Sequence, residues 1–412
     1  MQTLKLTKTY EKYPGYKDSN VPWIGIAPKN WKVSRGKNLF IKMNRKPLIN
    51  DEIITAFRDG TVTLRKNRRE DGFTMADKEI GYQRIIAGDL VIHGMDAFAG
   101  AIGVSDSTGK ASPVYSVCSP VGDNHPLYFS YLLRQMSQSG FIFAIAKGIR
   151  ERSTEFRFKE LSSLNLIVPD VGEQKNISDF ISVKTELINK IIKKKQRLIE
   201  LLQEKRSALI THAVTKGLDP TAKMKPSGID WIGEVPESWE GTKFKYISRM
   251  SYGESLSDES RVDGDISVFG SNGAVGKHSK SNTNKPVIVI GRKGSFGKIN
   301  YSDEPVFAID TTYYIDDRIT NANLKWLAYV MDSAGLKNYS FDTGVPGLSR
   351  EVVYNKTIPF PTLPQQKELS KFLDLMTEKL DRLGGIVQKQ INLLIEYRSS
   401  LIYHAVTGKI KI

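Results

Sequence analysis

The sequence is poor in the residues that build redox and metal chemistry. Its single cysteine, Cys118, excludes a disulfide framework and a cysteine-based zinc site within the chain. Its five histidines show no close spacing of the kind that places two ligands on one metal ion. No apolar run approaches the ~18 residues of a membrane-spanning helix, and the N-terminal residues lack the apolar core of a signal peptide. We therefore expect an intracellular, cytoplasmic protein without a membrane segment.

The charge of the chain is unbalanced toward positive. Its 412 residues include 60 Lys and Arg against 45 Asp and Glu, a formal net charge of +15. A hydrophobic content of 40% and an aromatic content of 9% fit packed globular structure and argue against a disordered basic tail. The length predicts two or three domains, and the excess positive charge favours a polyanionic partner.

Two segments of the chain occur twice, in the same order. Residues 23–31 (WIGIAPKNW) return as 231–239 (WIGEVPESW), with five of nine positions identical. Residues 204–215 (EKRSALITHAVT) return as 396–407 (EYRSSLIYHAVT), with nine of twelve identical. The separations are 208 and 192 residues, and the intervening stretches are unlike each other in sequence. The pattern predicts an internal repeat with similar ends and divergent middles.

Each repeat ends in a segment with the apolar pattern of a long helix. From Glu173 to His212 the apolar residues recur at 3.5-residue spacing, and the second copy follows the same register, which places Leu198 and Leu383 in the apolar seam. No proline falls inside either stretch. Spacing sustained over five heptads predicts a coiled coil, and about 40 residues give an arm of roughly 60 Å. We expect the two arms to pair with each other.

The second arm is interrupted by Gly384 and Gly385. Two glycines weaken a helix by about 1–2 kcal/mol in total. They mark either a kink or a close approach of another backbone, and the sequence leaves both interpretations open.

The two middles, residues 31–165 and 239–357, are predicted to be α+β. Short β-branched runs at 88–94, 113–120, 285–291 and 305–310 have the length and composition of strands. Helices are predicted within 125–140 and 319–335, and Gly- and Ser-rich connections separate these elements.

Basic residues in the middles concentrate in loops, where Gly-rich backbone beside cationic side chains suits contact with phosphates and base edges. The candidate DNA-binding residues of the first middle are Arg58, Arg65, Lys66, Arg68, Arg69, Lys147, Arg150 and Arg152, with Arg157 beside them. Those of the second middle are Ser271, Asn272, Lys277, Arg292, Lys293, Lys298 and Arg350.

Motifs that would indicate chemistry fail on their spacing. Five residues separate Gly270 from Gly276 and His278 follows Lys277, so the loop at 269–279 is not a Walker A phosphate loop. The acids of 169–175 lie too close together for a nuclease metal site, and no Pro-Pro dipeptide of an amino-methyltransferase motif exists. We expect a recognition protein without catalytic residues of its own.

The repeated motifs make the chain resemble the specificity subunit of a Type I restriction-modification system over nearly its whole length. The residues that carry the resemblance are the W-I-G-x-x-P-x-x-W boxes, the proline-led helix starts at 169–175 and 361–367, and the HAVT ends at 212–215 and 404–407. The strand–loop segments at 88–92 and 268–299 add to it.

The resemblance implies two target recognition domains, residues 1–168 and 217–360. Two long conserved helical arms, 169–216 and 361–412, would join them as an antiparallel coiled coil with pseudo-two-fold symmetry. Each domain would read one half of a bipartite site in double-stranded DNA, while the arms set the spacer and dock two modification subunits.

The same resemblance places the chemistry on other chains. The modification subunits would bind S-adenosylmethionine and methylate adenine N6, and restriction subunits would add a motor-nuclease that uses ATP and Mg²⁺. No cofactor is expected in this chain. Three rival hypotheses remain open at this point: a bifunctional enzyme with scattered acids, a non-DNA protein scaffold, and a stand-alone DNA-binding regulator.

Overall fold

The computed structural model describes residues 10–68, 79–145, 155–229, 231–338 and 347–412. The chain divides into two compact units, Met1–Lys194 with Gln390–Ile412, and Lys195–Lys389. The division falls inside both arm helices. Each unit therefore combines one α+β module with one part of each arm. The boundaries of the units thus differ from the order along the sequence, in which each module is followed by one complete arm.

The first unit is built from short strands and three short helices. The strands are β1 (Tyr16–Asp18), β2 (Ile26–Pro28), β3 (Lys32–Arg35), β4 (Phe40–Lys42), β5 (Ile54–Ala56), β6 (Val62–Leu64), β7 (Gln83–Ile85), β8 (Leu90–His93), β9 (Ile102–Val104), β10 (Gly109–Ala111), β11 (Tyr115–Pro120) and β12 (Asn165–Val168). The helices are α1 (Pro126–Gln138), α2 (Phe141–Ile145) and α3 (Phe158–Ser163), followed by the first arm, α4 (Val171–Lys216).

A central antiparallel sheet of the first unit has the strand order β4-β11-β8-β9. Successive residues of β8 point to opposite faces. Leu90 and Ile92 join the core that contains α1, whereas Val91 joins a second core beneath the β5–β6 hairpin. Because both faces are covered, Leu90, Val91 and Ile92 are all apolar, and Val91 shares its core with Ile54 and Val62 of the hairpin.

The second unit repeats this architecture with an unrelated sequence. Its strands are β13 (Met224–Ile229), β14 (Ile232–Pro236), β15 (Glu240–Lys243), β16 (Ser251–Tyr252), β17 (Ile266–Gly270), β18 (Gly273–His278), β19 (Val287–Gly291), β20 (Ile299–Ser302), β21 (Phe307–Ala308), β22 (Thr312–Asp316) and β23 (Thr357–Phe360). Its helices are α5 (Leu324–Ser333), α6 (Arg350–Asn355) and the second arm, α7 (Leu363–Val406).

The central sheet of the second unit has the order β16-β22-β19-β20, which matches β4-β11-β8-β9 position by position. Ile288 and Ile290 face α5, while Val287 and Val289 face the smaller sheet of β18-β17-β21. The divergent middles are therefore two versions of one α+β topology. The predicted helices at 125–140 and 319–335 and the four predicted strands are confirmed, the last of them shortened to β21.

Both arms are single helices, of 46 and 44 residues, as the apolar spacing predicted. In the first unit Arg398 of α7 donates to the Asn189 amide oxygen of α4. In the second unit Arg206 of α4 forms an ion pair of 3.3 Å with Asp381 of α7. Within each unit the two helices run antiparallel, and the two contacts are made by equivalent positions of the repeat.

The apolar seam of the arms departs from the predicted 3.5-residue spacing. Leu198 and Leu383 are 43% and 49% exposed, so the seam does not include them. Val387 is buried as the spacing predicted, whereas Ile192 and Ile391, which lie outside the predicted register, are buried as well. A straight α-helix has 3.6 residues per turn and drifts by ~20° per heptad, so a strict heptad pattern leaves the seam within a few turns.

The proline-led starts of the arms position the helix that lies on each module. The Gln174 amide accepts from the His125 backbone N–H (2.8 Å) and donates to the Pro169 carbonyl (3.0 Å). In the second unit Gln366 accepts from Asn323 N–H (2.8 Å) and donates to the Pro361 carbonyl (2.9 Å). The repeated glutamine thus joins an arm start to the first turn of α1 or α5.

The neighbouring acid of the first arm is structural as well. The Glu173 carboxylate accepts from Trp31 Nε1 at 2.9 Å and from the Tyr13 hydroxyl at 2.5 Å. Asp170 accepts from the Glu173 backbone N–H at 2.8 Å at the start of the helix. These contacts confirm the prediction that residues 169–175 form the start of a helix.

Each Trp box lies against the end of an arm that belongs to the other copy of the repeat. Gly408, with φ +68°, follows α7, and a Cβ there would meet Pro28 at 2.4 Å and Trp31 at 3.1 Å. Gly217, with φ +76°, follows α4 and lies against Trp239 and Pro236. The first box therefore depends on the last residues of the chain, which the linear order of the repeat does not reveal.

The glycine pair of the second arm has no neighbour that requires it. A Cβ at Gly384 or Gly385 would meet nothing within 4 Å, and α7 continues through both residues. A close backbone approach is thereby excluded. An open cavity of about 250 Å³ lies beside the pair, lined by apolar residues of both arms such as Ile199, Leu202 and Leu380.

Replacing Gly384 and Gly385 by alanine is expected to stabilise the second unit by about 1 kcal/mol per site, because alanine loses less backbone entropy in a helix. The measurement is the thermal midpoint by circular dichroism, compared with a Ser207→Ala control on α4. A lower midpoint in the glycine variants would contradict the open environment of the pair.

The packing of the end of α7 against the first Trp box can be tested through the reactivity of the buried thiol in the same core. Cys118 is fully buried, and burial raises the pKa of its thiol to about 12, so native protein should resist alkylation at pH 8. Val406→Ala removes two buried methyl groups from the same core and should cost about 2 kcal/mol. Alkylation should then be roughly 30-fold faster.

The matched control is Val214→Ala, the same position of the repeat in the second unit. It should leave the alkylation rate of Cys118 close to that of the unmodified protein. Equal acceleration by both variants would show that the two units do not open separately.

Candidate nucleic-acid interface

The first module presents a concave surface beside the turn of the β5–β6 hairpin. Ile54 and Val62 anchor the hairpin in the core beneath it. The Phe57 N–H donates to the Thr61 carbonyl at 2.8 Å and closes the turn. A 3-10 turn at Arg65–Asn67 follows β6 directly, and it directs the basic residues after the strand back toward the hairpin turn.

These elements enclose a cavity of about 710 Å³. Three of the sequence-predicted residues line it: Arg58, Arg65 and Arg68. Aromatic side chains complete the wall, namely Phe57, Tyr82, His93 and Tyr115. The structure thus brings three arginines and four aromatic rings into one concave site.

Carboxylates hold the basic side chains of this surface in place. Arg58 pairs with Asp96 at 2.8 Å, Arg68 with Asp59 at 2.7 Å, and Lys66 with Glu52 at 2.5 Å. The Arg68 guanidinium also lies 4.2 Å from the centre of the Phe57 ring. Exposed pairs of this kind add little stability, so their main effect is to orient the guanidinium groups.

The acid beside Arg68 remains charged at ordinary pH. Burial alone would raise the pKa of Asp59, but hydrogen bonds from the Arg68 guanidinium and from Thr61 lower it to about 2. Because folding lowers the pKa of Asp59, the Asp59–Arg68 pair stabilises the folded state fully at pH values above the unfolded pKa near 3.8. This stabilisation is lost as the pH falls toward 2.

The histidine of the cavity is neutral near pH 7. Burial lowers the pKa of His93 below its ordinary value, although Asp96 opposes the shift. Its Nδ1 accepts from the Asp96 backbone N–H at 3.0 Å, which places the proton of the neutral ring on Nε2. The ring meets Tyr115 edge to face at a centroid distance of 4.7 Å. His93 therefore acts as a polar aromatic wall without adding charge.

The second module gathers two arginines over two tyrosines. Arg350 lies 4.2 Å and Arg292 5.0 Å from the centre of the Tyr252 ring, and Tyr252 lies 5.1 Å from Tyr313. Arg350 donates to the Met250 carbonyl (3.2 Å) and Arg292 to the Asp310 carbonyl (3.1 Å). Among the residues that the structure describes, neither arginine forms an ion pair with a carboxylate. The pair therefore carries an uncompensated charge on an aromatic support.

The two Gly-rich loops of the second module lie against each other. A Cβ at Gly291 would come 2.1 Å from the Ser295 carbonyl oxygen and 2.9 Å from that of Ser271, so the close approach requires glycine. Lys298 donates to the backbone carbonyl (2.7 Å) and to the side-chain oxygen (2.9 Å) of Asn272. The structure thus joins Ser271, Asn272 and Lys298 in one surface.

The remaining candidates are placed differently. Lys277 lies on β18 and forms an exposed ion pair of 3.4 Å with Asp265. Lys293 is exposed on the loop after β19, where its backbone bridges to Gly347. Arg157 pairs with Glu155 at the start of α3. Four further candidates lie outside the described residues: Arg69, Lys147, Arg150 and Arg152.

The sequence interpretation missed the aromatic components of both surfaces. Tyr252 and Tyr313 support the arginines of the second module, and Tyr82 and Tyr115 line the cavity of the first. Each lies in or next to a short strand, where a tyrosine is common and gives no signal of a binding surface by itself. Their proximity to the arginines became visible only once the partner strands were known.

The chemistry available to these surfaces is binding. Fixed guanidinium groups bind phosphate oxygens and guanine edges with two donors at once, and exposed aromatic faces support them through cation–π contacts. Within the described ranges, no group of His, Cys, Asp and Glu side chains could hold a metal ion. Of the helices that the structure describes, none has the length and apolarity to cross a bilayer.

Known proteins share both the sequence pattern and the fold. Residues 234–393 match the family model for the Type I restriction modification DNA specificity domain. The type I restriction enzyme MjaVIII specificity subunit of Methanocaldococcus jannaschii is 23% identical over 96% of this chain and 97% of its own length.

Two solved structures have the same fold. A chain from a study of complex assembly and conformational transition of the type I R-M system superposes with a TM-score of 0.70 at 12% identity, covering 92% of this chain and 98% of that chain. The crystal structure of the HsdS subunit from Thermoanaerobacter tengcongensis gives 0.53 at 13% identity, covering 93% and 98%. Residues 234–393 therefore carry a Type I restriction-modification DNA specificity domain, and the chain as a whole, with its repeated boxes, paired arms and twin modules, is similar to a specificity subunit of these systems over nearly its full length.

Proposed function

We propose that the two modules each read one half of a bipartite site in double-stranded DNA. The observation that supports this most directly is that one topology, with identical arm-start contacts, carries two unlike cationic surfaces. The first surface is a cavity in which carboxylates fix Arg58 and Arg68, and the second is a pair of arginines that lie over tyrosines. A common frame with different readers is what recognition of two different half-sites requires.

Recognition by these surfaces combines two physical effects. Neutralised phosphates supply affinity that falls steeply with salt and sets the position of the protein on the duplex. Base edges in the major groove supply specificity, at about 1–3 kcal/mol for each good bidentate contact. Arg292 and Arg350 suit the second task, because the tyrosine faces and backbone carbonyls restrict their orientation.

The arms set the spacer and dock the modification subunits in this proposal, two of them for the two halves of the site. Methylation of adenine N6 takes place on those partners, which bind S-adenosylmethionine and receive the adenine flipped out of the duplex. Restriction subunits that use ATP and Mg²⁺ complete the assembly. This chain supplies specificity and holds no cofactor, and it acts in the cytoplasm with the genome it marks.

An exchange of the first module tests the proposal as a whole. Because β3 pairs with β12, residues 32–168 should be exchanged together for the same segment of another specificity subunit. Expressed with the modification subunit, the chimera should methylate sites with one new half-site and one old half-site. The measurement is a genome-wide map of N6-methyladenine. A change in both half-sites, or methylation without a bipartite motif, would contradict independent readers.

A single arginine of the second module provides a finer test. Arg350→Ala removes the guanidinium that lies closest to Tyr252, and binding to the mapped site should weaken by about five- to a hundredfold. The loss should be selective for the second half-site, measured by fluorescence anisotropy against duplexes with single base changes. Lys205→Ala on the exposed face of α4 is the control and should bind as the unmodified chain does. Equal losses in the two variants would remove the assigned role.

A further inference from the structure

A second cavity of the first unit, of about 380 Å³, lies away from the candidate reading surface. It is lined by the hairpin turn at 59–61, by α1, and by the parts of α4 and α7 that belong to this unit. Two arginines reach it, Arg134 from α1 and Arg398 from α7. Apart from Asp59, the rest of its polar wall is neutral and includes hydroxyl and amide groups from Ser130, Thr185, Asn189 and Ser399.

The positive charge of this cavity is only partly balanced, because two arginines share the lining with a single carboxylate, Asp59. The Arg134 Nε is buried and has no hydrogen-bond partner. Arg398 donates to the neutral amide of Asn189. Asp59 also lines the cavity, but its carboxylate is bound by Arg68 at 2.7 Å and by the Thr61 N–H at 3.1 Å. In the described part of the chain, no carboxylate lies within ion-pair distance of either cavity arginine.

A partly buried guanidinium that lacks a direct ion pair is costly. Burial lowers the pKa of Arg134, the charge of Asp59 opposes this shift, and the charge of Arg398 adds to it. An arginine nevertheless remains protonated, so the charge stays in the cavity. Buried polar groups that lack partners in a folded protein call for an explanation, of which an absent ion is one.

The second unit provides an internal comparison. The hydrogen bonds of Gln174 and Gln366, one in each unit, place His125 and Asn323 at the same position of their helices. The Tyr131 and Tyr329 hydroxyls likewise contact arm residues that lie 192 positions apart, Ser182 and Asp374. The two units can therefore be compared residue by residue at this place.

The comparison shows that two carboxylates of the second unit occupy positions at which the first unit has a neutral and a basic residue. Arg206 occupies the position of Arg398, but it pairs with Asp381, which occupies the position of Asn189. Asp332 of α5 occupies the position of Arg134. The second unit thus balances its arginine within the chain, whereas the first unit adds an arginine and lacks the acid.

We propose that this cavity of the first unit binds a phosphate group between Arg134 and Arg398. Two guanidinium groups on different helices, with hydroxyl and amide donors between them, offer donors from several directions. A tetrahedral oxyanion accepts from several directions at once, whereas a carboxylate accepts mainly in one plane. The volume exceeds the need of a bare anion, so the phosphate can carry an organic group. This site is additional to the proposed reading surfaces.

The probe for the test is inorganic phosphate added to the full-length chain, with chloride adjusted to keep ionic strength constant. Ligands that bind only the folded state raise its melting temperature. Phosphate should raise the midpoint along a saturable, single-site curve. Asn189→Asp places the acid of the second unit beside Arg398, and it should weaken phosphate binding at least tenfold while keeping the fold. Arg134→Gln should weaken it similarly.

The control is Lys190→Gln, which makes the same change in net charge one residue away. Lys190 lies on an exposed face and pairs with Glu186 at 2.6 Å, so this variant should bind phosphate as the unmodified chain does. Equal responses of Asn189→Asp and Lys190→Gln would overturn the proposal, because the effect would then be one of overall charge. An absent or non-saturable phosphate response would overturn it as well.

Two further measurements identify the source of the phosphate. If inorganic phosphate competes with duplex DNA and Asn189→Asp weakens both, the site holds a phosphodiester of the DNA backbone, which supports the proposal with DNA as the source. If DNA binding is unaffected while phosphate binds, the ligand is a free phosphate or phosphomonoester, which supports it as well. Loss of modification-subunit binding in Asn189→Asp, with no phosphate response in the unmodified chain, would assign the cavity to a protein carboxylate and overturn it.

Discussion

The fold of each unit depends on one contact, made twice, between a Trp box and a left-handed glycine at the end of an arm. Pro28 and Trp31 leave no room for a Cβ at Gly408, and Pro236 and Trp239 lie against Gly217. The carbonyl of Val406 also accepts from the buried Tyr128 hydroxyl at 3.1 Å, which joins the arm end to α1. Because each arm helix begins in one unit and ends in the other, the core of the first unit joins residues from two distant parts of the chain, and the core of the second unit includes the end of α4 and the start of α7 on either side of its module.

Much of this fold was predictable from the sequence because its signals are local. The arms follow from sustained apolar spacing, and α1, α5 and the central strands follow from short runs of the right composition. The crosswise contact between box and arm end was not predictable, since a linear repeat does not say which copy completes which core. Leu198 and Leu383 were assigned to the seam wrongly because small differences in helical period accumulate along a long helix.

The candidate sites were predictable only in part, for a similar reason. Loop arginines such as Arg58 and Arg292 can be recognised as basic from the sequence alone, but their partners come from distant strands. Asp96 lies 38 residues from Arg58, and Tyr252 lies 40 residues before Arg292. Whether an arginine is bound by an acid or supported on an aromatic ring decides its free charge and its orientation. That distinction requires the tertiary structure, and it separates the two modules more sharply than their net charge does.

The divergence between the two units extends beyond the reading surfaces into the arms. Arg206 and Arg398 are the same residue of the repeat, yet one faces a carboxylate and the other an amide. The Nε of Arg134 on α1, which shares the cavity with Arg398, is buried without a hydrogen-bond partner, and an unpartnered buried group of a guanidinium costs more than an exposed ion pair returns. The sheet order, the arm-start glutamine and the box contact are present in both units. A change of charge at these equivalent positions of arm and helix is therefore better explained by a ligand than by relaxed packing.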